Sequence, residues 1–180
     1  MHNWPGMAVG SFAVSQGPVM ASSNEFKIVI RGKGGHAALP HTGIDPVPVA
    51  CQMVQAFQTI VTRNKKPVDT AVISVTMIHT GEATNVIPDV CEIRGTVRTF
   101  TNEVLDLIER RLNEVAQHVA EGFDCQADVV FTRNYPPTIN HEQETQFAIS
   151  VMQDLVGTDN VNVRIDPTMG AEDFAFMLQE

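Results

Sequence analysis

The sequence has no long apolar run, no basic cluster and no secretion signal at its start, and each absence excludes a class of protein. No stretch approaches the roughly 18 consecutive apolar residues of a membrane span. The 180 residues include 12 lysines and arginines against 21 aspartates and glutamates, a net charge of −9. Because nucleic acids bind basic surfaces, we expect no nucleic-acid partner. We also expect no membrane partner and a cytoplasmic location.

Cysteine is scarce as well, with only Cys51, Cys91 and Cys125 and no CxxC pair. The three lie far apart in apolar segments, which predicts buried free thiols in a reducing compartment and no disulfide framework. The hydrophobic fraction of 43% is ordinary for a globular protein.

Between residues 25 and 136 the apolar residues recur with two different spacings, one typical of strands and one typical of helices. Alternating apolar residues predict strands over 25–32, 70–79, 90–99 and 125–131, with Met77 on the inward face of the second. Apolar residues at three- and four-residue spacing predict two helices, which begin near Asp45 and Thr101. The order strand, helix, strand, strand, helix, strand predicts an α+β, ferredoxin-like split βαβ fold. This is a four-stranded antiparallel sheet with both helices on one face.

The two ends of the chain have a different character. Beyond Pro137 the sequence predicts another amphipathic helix, a short strand over 161–165 and a helix that begins near Glu172. Because a domain rarely ends inside a helix, we expect residues 1–24 and 137–180 to be pieces of another domain. Residues 25–136 would then be inserted into it.

Three polar residues stand out as candidates for chemistry. His36 lies in the glycine-framed run Gly34–His41, Asn85 precedes a rigid proline turn, and Arg98 lies on the outer face of a predicted strand. An imidazole, an amide and a guanidinium together suit the binding of an anionic organic substrate. His79 and His118 are read as structural or solvated residues, because a lone histidine usually is one.

These motifs, in this order, resemble the lid (dimerisation) domain of the M20 family of metallopeptidases and aminoacylases. The segments His2–Gly10 and Met169–Phe176 are similar to its amidohydrolase branch, which includes hippurate hydrolases and N-acyl-amino-acid hydrolases. The resemblance implies a catalytic domain with two divalent metal ions, zinc or manganese, and an inserted lid at 25–136. It makes residues 1–24 and 137–180 truncated α/β catalytic-domain remnants. It also implies a homodimer formed through the lids and an N-acyl amino acid as substrate.

The same resemblance assigns roles to single residues. His36 would be catalytic and substrate-binding, and would reach into the partner's active site. Asn85 and Arg98 would bind substrate, Arg98 at its terminal carboxylate. His2 would be a metal ligand, and Glu172 and Asp173 would lie close to the active site.

The chain also lacks parts of the family's pattern. The Cys-x-His or His-x-Asp ligand motif, the Glu-Glu pair and a last ligand histidine are not in the sequence. A hydrolytic zinc site needs about three protein ligands. We therefore expect this chain alone to bind no metal tightly and to be inactive. The alternative is a stand-alone ferredoxin-like binding or dimerisation module.

Overall fold

The computed structural model describes residues 2–180. The α-helices of this part of the chain are α1 (Pro46–Thr59), α2 (Asn102–Glu121) and α3 (Glu142–Val156). The strands are β1 (Phe12–Ala13), β2 (Gly17–Met20), β3 (Ser23–Arg31), β4 (Gly35–His36), β5 (Ala71–His79), β6 (Val86–Ile87), β7 (Val90–Thr99), β8 (Gln126–Tyr135), β9 (Thr138–Asn140) and β10 (Val161–Asn162). A π-helical turn, Ile60–Asn64, extends α1.

The central feature is a four-stranded antiparallel sheet in the order β5-β7-β3-β8. Strands β3 and β7 form its middle, while β5 and β8 form its edges. Alternate residues of β3 and β7 are buried on one face, as period-two patterning requires. The mixed helix and strand content and the antiparallel sheet confirm the predicted α+β class.

Helices α1 and α2 begin at the residues that their sequence signals predict. The Asp45 side chain accepts a hydrogen bond from the Val47 amide at 2.9 Å, and Thr101 caps α2 by accepting one from Val104 at 3.3 Å. Helix α1 packs over β3, β5 and β7, and α2 packs over β7 and β8. The buried core lies between these helices and the sheet, and its largest members are Phe57, Ile28, Ile30, Met53, Ile60, Ile93, Ile108 and Leu112.

One core position requires glycine. A Cβ atom on Gly95 would lie 2.2 Å from the carbonyl oxygen of Ser74 and 2.4 Å from the ring of Phe26. Because Gly95 has no side chain, the Phe26 ring packs directly against the backbone of β7.

Two predicted burials are wrong. Met77 is expected on the inward face of β5, but an irregularity between Val75 and Met77 shifts the register, and Met77 is 49% exposed. Cys51 is exposed on α1, whereas Cys91 and Cys125 are buried. Burial raises the pKa of both the Cys91 and the Cys125 thiols, so these two remain protonated and inert.

The two flanking segments pair with each other. Strand β1 lies parallel to β10, and β2 lies antiparallel to β9. The amide of Ala21, just before β3, donates to the carbonyl of Gly170 at 2.9 Å. The flanks therefore meet at the end of the sheet where β3 begins. No helix within residues 2–180 has the length and apolar character to cross a membrane.

Candidate functional site

The structure brings His36 and Asn85 together. Strand β4 pairs with β6 so that His36 lies opposite Val86, and the Ala37 amide donates to the Asn85 carbonyl at 2.9 Å. His36 and Asn85 are both exposed. Two segments some fifty residues apart in sequence thus form one small hairpin-like surface at the end of the sheet opposite the flanks.

The imidazole of His36 has a defined orientation. Its Nδ1 accepts a hydrogen bond from the amide of Ala38 at 3.0 Å. An N–H group donates only to a nitrogen that carries a lone pair, so the proton of the neutral ring is on Nε2. Nε2 has no hydrogen-bond partner within the described residues and points a donor outward.

Asp89 holds this loop in place, and the sequence reading missed it. Its carboxylate accepts a hydrogen bond from the Gly34 amide at 2.8 Å, and its carbonyl accepts one from Gly32 at 2.9 Å. A Cβ atom on Gly34 would lie 2.7 Å from the carbonyl of Ile87, so glycine is needed for this approach. The sequence signal that could have identified Asp89 is its position directly after the proline turn that follows Asn85, together with the glycine pair at the start of the His36 loop.

Arg98 lies on the outer face of β7, as the alternation predicts, and is half-buried. Its neighbour on the same face, Arg94, is paired with Glu92 at 2.6 Å, and Lys27 pairs with the same carboxylate at 2.8 Å. Hydrogen bonds from Arg94 and Lys27 lower the pKa of Glu92 to about 2. Arg98 has no carboxylate at ion-pair distance among residues 2–180, so its guanidinium is available to a ligand.

Arg98 is not near His36 within one chain. From Val90, beside the His36 loop, to Arg98 the strand rises about 26 Å at roughly 3.3 Å per residue. Arg98 instead lies next to Thr99, whose carbonyl accepts the Ser22 amide at 2.8 Å where the flank enters the sheet. The three sequence-predicted substrate residues therefore occupy opposite ends of the sheet.

His2 lies at the flank end and faces Glu172. Its Nε2 is 2.6 Å from the Glu172 carboxylate, with side-chain exposures of 48% and 21%. Imidazole and carboxylate are suitable ligands for zinc or manganese, and a carboxylate commonly orients a ligating histidine. Across the described residues no group of three or more potential metal ligands comes together. The pair fits a part of a metal site and is too small to hold a catalytic ion alone.

The profile of the M20 peptidase dimerisation domain matches residues 21–124 of this chain. The chain belongs to the M20 family. The match covers β3, β5 and β7, which are three of the four strands of the sheet, together with α1 and α2, and it includes His36, Asn85 and Arg98. The family resemblance read from the motifs is thereby confirmed.

Curated relatives agree with this assignment. The M20 chain is 40% identical over 181 residues to an N-acetyl-L-cysteine deacetylase of Bacillus subtilis, covering 99% of this chain and 42% of that protein. It is 38% identical over 177 residues to an IAA-amino acid hydrolase, ILR1-like 4, of Arabidopsis thaliana, covering 96% of this chain and 40% of that protein. The chain thus spans less than half the length of these relatives.

The fold is similar to that of solved M20 structures. A dinuclear metal-binding peptidase of the M20 family from Bacillus subtilis superposes with a TM-score of 0.82 at 32% identity, over all of this chain and 44% of that one. The relatives of this chain are hydrolases, and one of them is described as binding two metal ions.

Proposed function

We propose that this chain is the lid-bearing part of a metal-dependent amidohydrolase that hydrolyses N-acyl amino acids of the hippurate type. The lid comprises residues 25–136 and belongs to the ferredoxin-like class, since its strand order and helix placement fit the split βαβ arrangement. Residues 1–24 and 137–180 contribute to the catalytic domain. The names of the deacetylase and hydrolase relatives support this substrate class.

One observation carries the proposal: the candidate residues are divided between the two ends of the sheet. His2, Glu172 and Arg98 lie at the flank end. His36 and Asn85 lie at the other end, about 26 Å along the strands. A single chain cannot bring both groups to one substrate, but a second chain can supply His36 and Asn85 to the first. The geometry therefore favours an active site completed by the partner's lid.

Each residue has a role that suits its environment. The unpaired Arg98 binds the substrate carboxylate, because a guanidinium forms two parallel hydrogen bonds with it. The outward Nε2–H of His36 and the Asn85 amide donate to the amide carbonyl, where negative charge develops as the bond is cleaved. His2 would help to hold a divalent metal, which supplies Lewis-acid chemistry when bound, and Glu172 would orient the imidazole.

The surface for pairing two lids is the edge formed by β5 and α1. Helix α1 has no Asp, Glu, Lys or Arg between Pro46 and Thr59, and β5 has none between Ala71 and His79. Met77 and Ile78 on β5 are 49% and 47% exposed. Depletion of charge and an open strand edge are both typical of protein interfaces.

The opposite edge has the character of a solvated surface. Strand β8 carries Asp128, paired with Arg31, and Arg133, paired with two acidic residues of α2. Charged side chains on an edge strand oppose pairing with another chain. The contrast between the two edges supports a homodimer contact on the β5 side.

A lysine on the exposed face of α1 is therefore expected to weaken the dimer. Gln55→Lys should raise the dimer dissociation constant at least about 10-fold, because it buries a charge in an uncharged contact. Asn113→Lys, exposed on α2, is the matched control and should leave dimerisation unchanged. Sedimentation equilibrium of the chain measures both variants. A strict monomer at high protein concentration would contradict lid pairing. Equal dissociation constants for the Gln55→Lys and Asn113→Lys dimers would contradict an interface on α1.

The function is tested with a chimera in which this chain replaces the matching 181 residues of the Bacillus subtilis N-acetyl-L-cysteine deacetylase. We expect the chimera, with added manganese or zinc, to hydrolyse N-acetyl and N-benzoyl amino acids. The 180-residue chain alone should show no turnover, because no group of three potential metal ligands comes together among residues 2–180. A folded, metal-loaded chimera without activity, or turnover by the chain alone, would contradict the proposal. The free thiols of Cys51, Cys91 and Cys125 support a cytoplasmic location.

A further inference from the structure

The loop that carries His36 is held by backbone amides. The Gly34 amide donates to the Asp89 carboxylate at 2.8 Å, and the Ala37 amide donates to the Asn85 carbonyl at 2.9 Å. The Leu39 amide closes the turn on the His36 carbonyl at 2.8 Å. Three successive parts of the loop are thereby fixed around an exposed imidazole.

Another amide of this loop, that of Ala38, acts on the ring itself. It lies 3.0 Å from Nδ1 of His36, where it donates a hydrogen bond. The bond requires a lone pair on Nδ1 and is lost if Nδ1 carries a proton. Of the two neutral tautomers it therefore selects the one protonated at Nε2.

We propose that the Ala38 amide and the Asp89 carboxylate are positioning groups that hold His36 as the neutral Nε2–H tautomer. This inference rests on the proposed function for its purpose: it makes His36 a hydrogen-bond donor to the substrate carbonyl rather than a general base. A ring whose outward nitrogen already holds a proton cannot accept another there.

The tautomer can be measured on the chain itself by long-range ¹H–¹⁵N NMR of its imidazoles at about pH 8, above the ordinary histidine pKa. His36 should give one resonance pattern, with Nδ1 unprotonated and Nε2 protonated. A scalar coupling between the Ala38 amide nitrogen and Nδ1 should also appear. His118, exposed on α2, is the internal reference and should show the mixed tautomers of a solvated ring. His36→Gln assigns the signals.

Asp89 provides the matched pair of variants. Asp89→Ala should shift the His36 tautomer ratio towards that of His118 and abolish the coupling. Asp89→Asn keeps an acceptor oxygen and should retain both. In the chimera, Asp89→Ala should lower kcat about 10-fold with KM little changed, and Asp89→Asn should restore most of it.

The outcomes separate this inference from the proposed function. A dominant Nδ1–H tautomer, or a ratio equal to that of His118, would overturn the inference whatever the chimera does. A single Nε2–H tautomer of His36, with a ratio that shifts towards that of His118 in Asp89→Ala, supports the inference. This holds even if the chimera is inactive and the proposed function fails.

Discussion

Replacing His36 with alanine in the chimera is expected to lower kcat about 100-fold, with a smaller change in KM. Removal of one hydrogen-bond donor to a developing oxyanion has roughly this effect on kcat in other hydrolases. Under the proposed function, the outward Nε2–H of His36 would be such a donor. Steady-state hydrolysis of an N-acetyl amino acid measures the change, and His118→Ala, exposed on α2, is the matched control. An unchanged kcat in the His36→Ala chimera would contradict a catalytic role for His36.

The same variant shows from which chain His36 acts. A His36→Ala chimera is co-expressed with a His2→Ala chimera, and each is expected to be nearly inactive as a homodimer. If His36 serves the partner's site, a mixed dimer contains one site with both residues intact. Random pairing then returns about a quarter of the original activity, because half the dimers are mixed and each has one working site. No recovery in a sample with confirmed mixed dimers would contradict a site shared between chains.

Replacing Arg98 with alanine is expected to raise KM about 10- to 100-fold for substrates with a free carboxylate. A charge-assisted hydrogen bond contributes roughly 1.5–3 kcal/mol, which corresponds to that range. Arg98 has no carboxylate partner within residues 2–180, so its charge is free for the substrate. Steady-state kinetics with an N-acyl amino acid measures the change.

Two comparisons sharpen this prediction. The same amino acid with an amidated carboxyl should bind the variant and the parent chimera almost equally. Arg94→Ala is the matched control, because Arg94 lies on the same face of β7 and is already paired with Glu92. It should leave KM nearly unchanged. An equal increase in KM for the carboxylate and the amidated substrates would contradict the proposal that Arg98 binds the substrate carboxylate.

The local elements could be predicted because their signals are local. Strand β7 covers Val90–Thr99 as its alternation indicates, and the caps at Asp45 and Thr101 begin their helices. The same alternation correctly assigns Arg98 to the outer face. The burial of Met77 failed because a bulge depends on how β5 pairs with β7, and a single strand's sequence does not contain that information.

The family, the order of elements and the identity of the candidate residues can be read from the sequence, because motifs and hydrophobic periods are carried by neighbouring residues. The arrangement of those residues in space required the folded structure. It joined His36 to Asn85 across β4 and β6, and it assigned the loop's support to Asp89. It also separated Arg98 from His36 by the length of the sheet. The physical reason is that hydrogen bonds between distant segments depend on strand pairing, which no local pattern encodes.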